Sequence, residues 1–298
     1  MRARSKPQAL PEAPFAAVRR DLRLGSILAA EGKLDPARIG QVLRLQQSRR
    51  GLRFGEAALR LGLITRDDLR MALARQYDFP CLRAAGGGNV SRELIVFRDS
   101  FDPRAERLRA LRTQLLIRWS RLGTQPRALA IVSAGAGEGR SYVTANLAVL
   151  FAQLNLRTLL IDADLRAPRQ AAIFDVPDQI GLSAVLSGRA AGEVAVSVPA
   201  YGPLWVLPAG ATPPNPQELL LRPEFGGFLE FADGEYDVIL IDTPPARDTA
   251  DAQSIAHFAG SALLLARTNH TRLDDVAGLA QELADAGALV LGVVLNGF

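Results

Sequence analysis

The segment Ala128-Leu-Ala-Ile-Val-Ser-Ala-Gly-Ala-Gly-Glu-Gly-Arg140-Ser141 constrains the fold more than any other part of the chain. Its apolar opening reads as a strand buried on both faces. A glycine-rich turn follows, and a helical pattern then opens with a hydroxyl residue at its start. Strand, glycine turn and helix N-terminus together make a phosphate cradle, because backbone N–H groups converge there and the helix dipole favours an anion. The candidate cradle residues are Gly135, Ala136, Gly137, Glu138, Gly139, Arg140, Ser141 and Tyr142. Against the spacing G-x-x-x-x-G-K-[ST], Ala134 takes the first glycine's place and Arg140 the lysine's.

Further apolar runs alternate with helical patterns at Thr158–Ile161, Leu204–Leu207, Val238–Ile241, Ala262–Ala266 and Leu289–Leu295. This alternation predicts an α/β fold with a mainly parallel sheet covered on both faces. The second run ends in Asp162-Ala-Asp164-Leu-Arg166, with carboxylates at alternate positions, and the fourth in Asp242-Thr-Pro-Pro245. Ligands of open α/β sheets sit beyond the carboxyl ends of strands. Three acids beside a phosphate cradle are what a Mg²⁺ ion and an attacking oxygen require. Each acid alone reads equally well as a solvated strand end.

Ahead of this region, residues 21–82 form an internal repeat and predict a small all-helical domain. Arg23-Leu-Gly-x-x-Leu28, Gly32, Leu34, Ile39 and Gln46 recur thirty residues later as Arg53-Phe-Gly-x-x-Ala58, Gly62, Ile64, Leu69 and Gln76. Each copy reads as a short helix, a turn and a second helix, with Asp35-Pro36 and Thr65-x-x-Asp68 as the helix starts. Residues 1–20, rich in Pro, Ala and Arg, read as a flexible tail. Residues 83–100, containing Gly86-Gly-Gly88, read as a linker, and 101–298 as the second domain. Asp102-Pro103 opens a helix that aligns Leu108, Leu111, Leu115 and Trp119, with Arg104, Arg107 and Arg112 away from that face.

Charge is unevenly spread. Residues 1–100 hold 19 Lys/Arg against 10 Asp/Glu, whereas the whole chain is only +4. The front end therefore expects an anionic partner, with anionic lipid and a phosphorylated ligand both open. Nucleic acid is disfavoured, since no aromatic residues interleave with the basic ones and no reading helix is recognisable. Cys81 is alone, so no disulfide forms within the chain, and two histidines exclude a Cys/His metal site. No secretory leader or spanning segment is legible. The expected location is cytoplasmic, with any membrane association through a partner or the basic front end.

The three acid- and glycine-bearing strings resemble the Walker A, A′ and B motifs of the bacterial tyrosine kinases of capsule and exopolysaccharide systems (CpsD/CapB type, EpsG-like), in the MinD/ParA-like branch of P-loop ATPases. The resemblance covers residues 101–298. Glu106-x-x-Arg109-x-x-Arg112 matches that family's subunit-contact motif, although the same spacing suits a surface ion pair on any helix. The resemblance implies ATP and Mg²⁺ as cofactors, with Ser141, Asp162 and Asp242 at the metal and Asp162, Asp164 and Arg140 serving catalysis. It also implies Asn296 near adenine, a homo-oligomer, and recruitment to the inner membrane by a chain-length determinant or polysaccharide export protein. The family's C-terminal tyrosine cluster has no counterpart before Phe298; the four tyrosines are scattered.

The front repeat resembles the MshEN/GspE N-terminal type domain, which implies cyclic di-GMP as ligand and Arg23, Gly25, Gln46, Arg53, Gly55 and Gln76 as its contacts. A helical protein-interaction module is the competing reading. For the rear domain the competitors are a non-kinase ATPase switch of the MinD/ParA type and a catalytically silent nucleotide-binding adaptor.

Overall fold

The computed structural model describes residues 23–49, 51–77, 90–99, 102–121, 128–190, 194–247 and 249–297. The expected tail 1–20, Cys81 and the Gly86-Gly-Gly88 stretch lie outside the described residues. The chain divides into two compact units, Met1–Phe79 and Pro80–Phe298.

The front unit contains α1 (Leu24–Ala30), α2 (Pro36–Ser48), α3 (Phe54–Arg60) and α4 (Arg66–Gln76). Asp35 caps α2 by accepting the Arg38 N–H at 2.8 Å, with Pro36 following at the first helical position. Thr65 and Asp68 cap α4 reciprocally: Thr65 Oγ1 accepts the Asp68 N–H at 3.1 Å, and Asp68 Oδ2 accepts the Thr65 N–H at 2.9 Å. Ile27, Leu28, Leu34 and Val42 of the first repeat share one core with Ala57, Ala58, Ile64 and Ala72 of the second. The two repeats meet where α1 approaches α3. A Cβ on Gly25 would lie 3.1 Å from the Phe54 ring, and one on Gly55 3.3 Å from Leu24 and 2.5 Å from Leu69. Positions 24 and 54, and 25 and 55, are equivalent in the repeat, so the contact is reciprocal. Lys33–Asp68 and Arg75–Glu31 ion pairs, each 2.7 Å, link the repeats at the surface.

The rear unit runs α5 (Ile95–Arg98), α6 (Pro103–Arg121), β1 (Ala128–Ser133), α7 (Arg140–Ala152), β2 (Thr158–Asp162), α8 (Gln170–Phe174), α9 (Leu182–Leu186), β3 (Val196–Ser197), β4 (Leu204–Leu207), α10 (Pro216–Leu220), α11 (Pro223–Glu235), β5 (Val238–Asp242), α12 (Asp251–Ala259), β6 (Ser261–Arg267), α13 (Leu273–Asp285) and β7 (Leu289–Asn296). All six apolar runs are strands. They form one seven-stranded sheet in the order β3-β4-β2-β5-β1-β6-β7, parallel except for the short antiparallel β3 edge. Successive residues of each central strand enter opposite cores. Leu129, Ile131, Leu160 and Leu240 pack toward α5, α6 and α7, while Ala130, Val132, Leu159 and Ile241 pack toward α9 to α13. Burial on both faces is why these strands read as continuous apolar runs.

Two expectations fail here. The second half of the supposed linker belongs to the rear unit's core: Leu94 and Val96 are fully buried and Phe97 nearly so. Asn146 on α7 secures that segment, accepting the Val96 N–H at 3.2 Å and donating to the Glu93 carbonyl at 2.8 Å. Four apolar residues are too few to show a period, so composition around Gly86 dominated the reading. Arg112 also does not lie away from the packed face of α6. It is half-buried and donates through Nη1 to the Leu150 carbonyl at 3.2 Å, in the last turn of α7. Among the described residues no helix is long and apolar enough to cross a membrane.

Candidate nucleotide and metal site

The cradle hangs between β1 and α7. Gly137 and Gly139 adopt φ of +71° and +94°, the left-handed region that a side chain disfavours, and the second places the chain to enter α7 at Arg140. The first N–H groups of α7 have no partner within the helix and are open to an anion at its N-terminus. Ala136 and Gly137 are exposed at the rim, whereas Glu138 is buried. Three residues hold the loop from the β6–β7 side. Thr271 Oγ1 donates to Glu138 Oε1 at 2.6 Å, Asn296 Nδ2 to the Glu138 carbonyl at 3.0 Å, and Arg267 Nη1 to the Gly137 carbonyl at 3.3 Å. Asn296 thus lies beside the loop as the last residue of β7, with its amide engaged to the backbone there.

Arg140 turns under the loop. Its Nε donates to the Thr243 carbonyl at 2.8 Å, and its Nη1 donates to the Gly135 carbonyl at 2.7 Å and to Ser133 Oγ. The side chain is buried, and desolvation lowers the guanidinium pKa against the raising influence of Asp242, Asp164 and Glu138. A planar fork finds carbonyl oxygens on two sides of this floor. Nε and Nη1 are thus spent on protein acceptors.

Asp162 and Asp242 are register partners at the ends of neighbouring strands β2 and β5, and neither is solvent-accessible. Asp162 Oδ2 accepts the N–H groups of Arg169 at 2.9 Å and Gln170 at 2.8 Å. Asp242 Oδ2 accepts from Gln170 Nε2 at 2.7 Å, and the Ser141 hydroxyl works against the rise in this carboxyl's pKa. Burial raises both carboxyl pKa values, Asp162 being pushed further by its Asp242 neighbour. Asp164 instead closes its own loop, accepting the N–H groups of Arg166 at 3.2 Å and Ala167 at 2.9 Å. Arg166 reaches Asp251 at 2.7 Å, and Arg169 reaches Glu93 at 2.6 Å, fixing the 162–170 loop on two sides.

These residues suit a magnesium ion. Asp242 Oδ1 is buried and has no hydrogen-bond partner, beside the Ser141 hydroxyl. Among the described residues no group of three or more His, Cys, Asp or Glu forms a cage. Mg²⁺ needs none, since it keeps waters and phosphate oxygens and takes only one or two carboxylates from the protein. Gln170 was not foreseen from the sequence. It lies eight residues past Asp162 in a stretch without pattern, yet it touches Asp242 and donates to the Ser141 carbonyl at 3.2 Å. Thr243, Arg267 and Thr271 were missed likewise.

The remaining candidates lie elsewhere. On α6, Arg109 Nη1 pairs with the exposed Glu106 at 2.9 Å, while Arg112 is anchored on α7. In the front unit Arg23 and Arg53 are exposed immediately before α1 and α3. Gly25 and Gly55 sit at the α1–α3 approach, so their lack of a side chain is already explained by packing. Gln46 Nε2 donates to the Leu52 carbonyl at 2.9 Å, and Gln76 is half-buried at the end of α4.

Residues 129–298 match the model of the CobQ/CobB/MinD/ParA nucleotide-binding domain. Tyrosine-protein kinase YwqD of Bacillus subtilis (strain 168) is 35% identical over 216 residues, 72% of this chain and 90% of YwqD. Tyrosine-protein kinase etk of Escherichia coli (strain K12) is 35% identical over 66% of this chain, which spans only 27% of etk. The solved kinase domain of the Escherichia coli enzyme superposes with a TM-score of 0.67 at 32% identity, covering 72% of this chain and 84% of that domain. The septum site-determining protein MinD of Pyrococcus horikoshii, solved with Mg-ADP, gives a TM-score of 0.50 at 29% identity over 56% of this chain and 69% of that one. With a parallel sheet, a glycine cradle and buried acids at its strand ends, the chain belongs to the CobQ/CobB/MinD/ParA nucleotide-binding family and is a homologue of the bacterial tyrosine-protein kinases.

Proposed function

We propose that this chain is an ATP-dependent tyrosine kinase that helps control the length and export of an exopolysaccharide. The observation that carries the reading is the buried Asp162–Asp242 pair beside the N-terminus of α7, with one Asp242 oxygen unpartnered. Asp242, Asp162 and Ser141 would hold magnesium, which would supply positive charge against that of the phosphates. The amides of residues 135–142 cradle the phosphates, Asn296 flanks the nucleotide, and Asp164 orients the attacking oxygen. Copies assemble through Glu106 and Arg109 of α6. The protein is cytoplasmic and is brought to the inner membrane by a polysaccharide chain-length or export partner. The front unit senses cyclic di-GMP through Arg23 and Arg53, supported by their matched positions before α1 and α3.

Incubation with γ-labelled ATP and magnesium tests the reading: label on protein tyrosine supports it, and label appearing only as free phosphate refutes it. Calorimetric titration of cyclic di-GMP into the parent and into Arg23→Ala/Arg53→Ala tests the sensor; absence of heat with the parent ends that part. One observation favours a second reading, a MinD/ParA-type ATPase switch or a silent adaptor. The Arg140 donors Nε and Nη1 are held by the protein, and phosphoryl transfer depends on how charge is placed.

A further inference from the structure

The four tyrosines of this sequence stand in very different surroundings. Tyr201 is 6% exposed, its ring wedged edge-on against Phe97 at 4.6 Å and Phe174 at 5.4 Å. Tyr236 packs edge-on against Trp205 at 5.5 Å and is part-buried. Tyr142 is in the first turn of α7 and packs against the core shared with α5 and α6. Tyr77 is 76% exposed, at the C-terminal cap of α4. Its backbone N–H closes the helix on the Leu73 carbonyl at 3.0 Å, so the backbone that carries this exposed side chain is held by α4.

We infer that Tyr77 is the tyrosine of this chain that accepts phosphate, an inference that rests on the kinase reading above. Phosphoryl transfer needs the acceptor oxygen about 3–3.5 Å from the γ-phosphorus and in line with the leaving group. A ring locked in a core cannot be presented that way without local unfolding, whereas Tyr77 can be presented with α4 intact. In the step, the Tyr77 oxygen forms a bond to the γ-phosphorus as the bond to the bridging β–γ oxygen breaks. ADP departs with that electron pair, and the phenolic proton passes to a neighbouring carboxylate or water. The product carries a charge of about −1.5 to −2 at the C-terminal end of α4, where the helix dipole disfavours an anion. Phosphate at that place loosens the last turn of the front unit.

The test uses the full chain with magnesium and ATP, alone and with the Escherichia coli Etk kinase domain added, followed by phosphopeptide mass spectrometry. In the mixed sample Tyr77 carries the phosphate; Tyr77→Phe lowers incorporation into this chain at least tenfold, and Tyr236→Phe leaves it unchanged. Far-ultraviolet circular dichroism identical to the parent shows that Tyr77→Phe folds. Phosphate on Tyr142, Tyr201 or Tyr236 with Tyr77 unmodified overturns the inference, as does an unmodified Tyr77 in both samples. The sample without added kinase reports separately on the kinase reading: phosphotyrosine only in the mixed sample removes that reading and keeps Tyr77 as an acceptor.

Discussion

Arg140 donates its Nε–H to the carbonyl oxygen of Thr243 at 2.8 Å, tying the first residue of α7 to the exit of β5. The cation of the phosphate loop is thereby a fastener as well as a charge. Lysine in its place lacks the fork and carries a compact ammonium on a flexible stem.

Arg140→Lys is therefore expected to raise the rate of phosphate release or transfer, by about tenfold, equivalent to about 1.4 kcal/mol of barrier. The KM for ATP changes little, since the loop amides supply most of the binding. Stability falls by about 1–3 kcal/mol, because carbonyls of Gly135 and Thr243 lose a charged donor. Steady-state kinetics with a denaturation curve on the same preparations checks both signs; a slower Lys variant contradicts the account.

Asp242→Asn removes one of two carboxyl groups whose charged forms burial and mutual proximity disfavour. Without ligand the variant is expected to melt higher than the parent, while magnesium-dependent ATP binding drops by at least tenfold. Thermal melts with and without Mg-ATP read the opposite signs in one experiment.

The front unit carries a depressed acid. Hydrogen bonds from Lys33 and from Thr65 hold the Asp68 carboxyl at about 2, below its ordinary 3.8. A lowered folded pKa stabilises the fold above the ordinary value, and the contribution disappears as pH falls through about 2. Asp68→Asn is expected to cost stability at pH 6 and to match the parent below about pH 2. Thr65→Ala removes the cap and costs about 1 kcal/mol. Hydrogen exchange of α4 amides across pH follows both.

Within the α6 motif the structure separates two jobs. Arg112→Ala loses the bond to the Leu150 carbonyl and is expected to destabilise the rear unit by about 1–3 kcal/mol. Glu106→Ala, at an exposed position, is expected to leave the melting temperature unchanged while shifting sedimentation toward smaller species. An unaltered distribution of species in the Glu106 variant removes the motif from assembly.

The sequence alone determined the strand–helix alternation, the cradle and the repeat, because each is written in a short contiguous pattern. Apolar runs at the centre of the sheet had to be buried on both faces, whereas β7 leaves Leu289, Val293 and Leu295 exposed at its edge, and Gly137 and Gly139 had to turn. Asp162 and Asp242, each at a strand end, had to emerge on the same side of the sheet. Tertiary structure decided what depends on who stands opposite. Gln170 touches Asp242 across 72 residues of chain, and Asn146 captures the backbone near Val96, 50 residues away. Arg140 bends toward Thr243 instead of outward, and Gly25 and Gly55 admit side chains of the opposite helix. Local pattern encodes periodicity and backbone freedom; the partner of a buried donor is chosen only when distant segments are brought together, and no spacing along the chain records that choice.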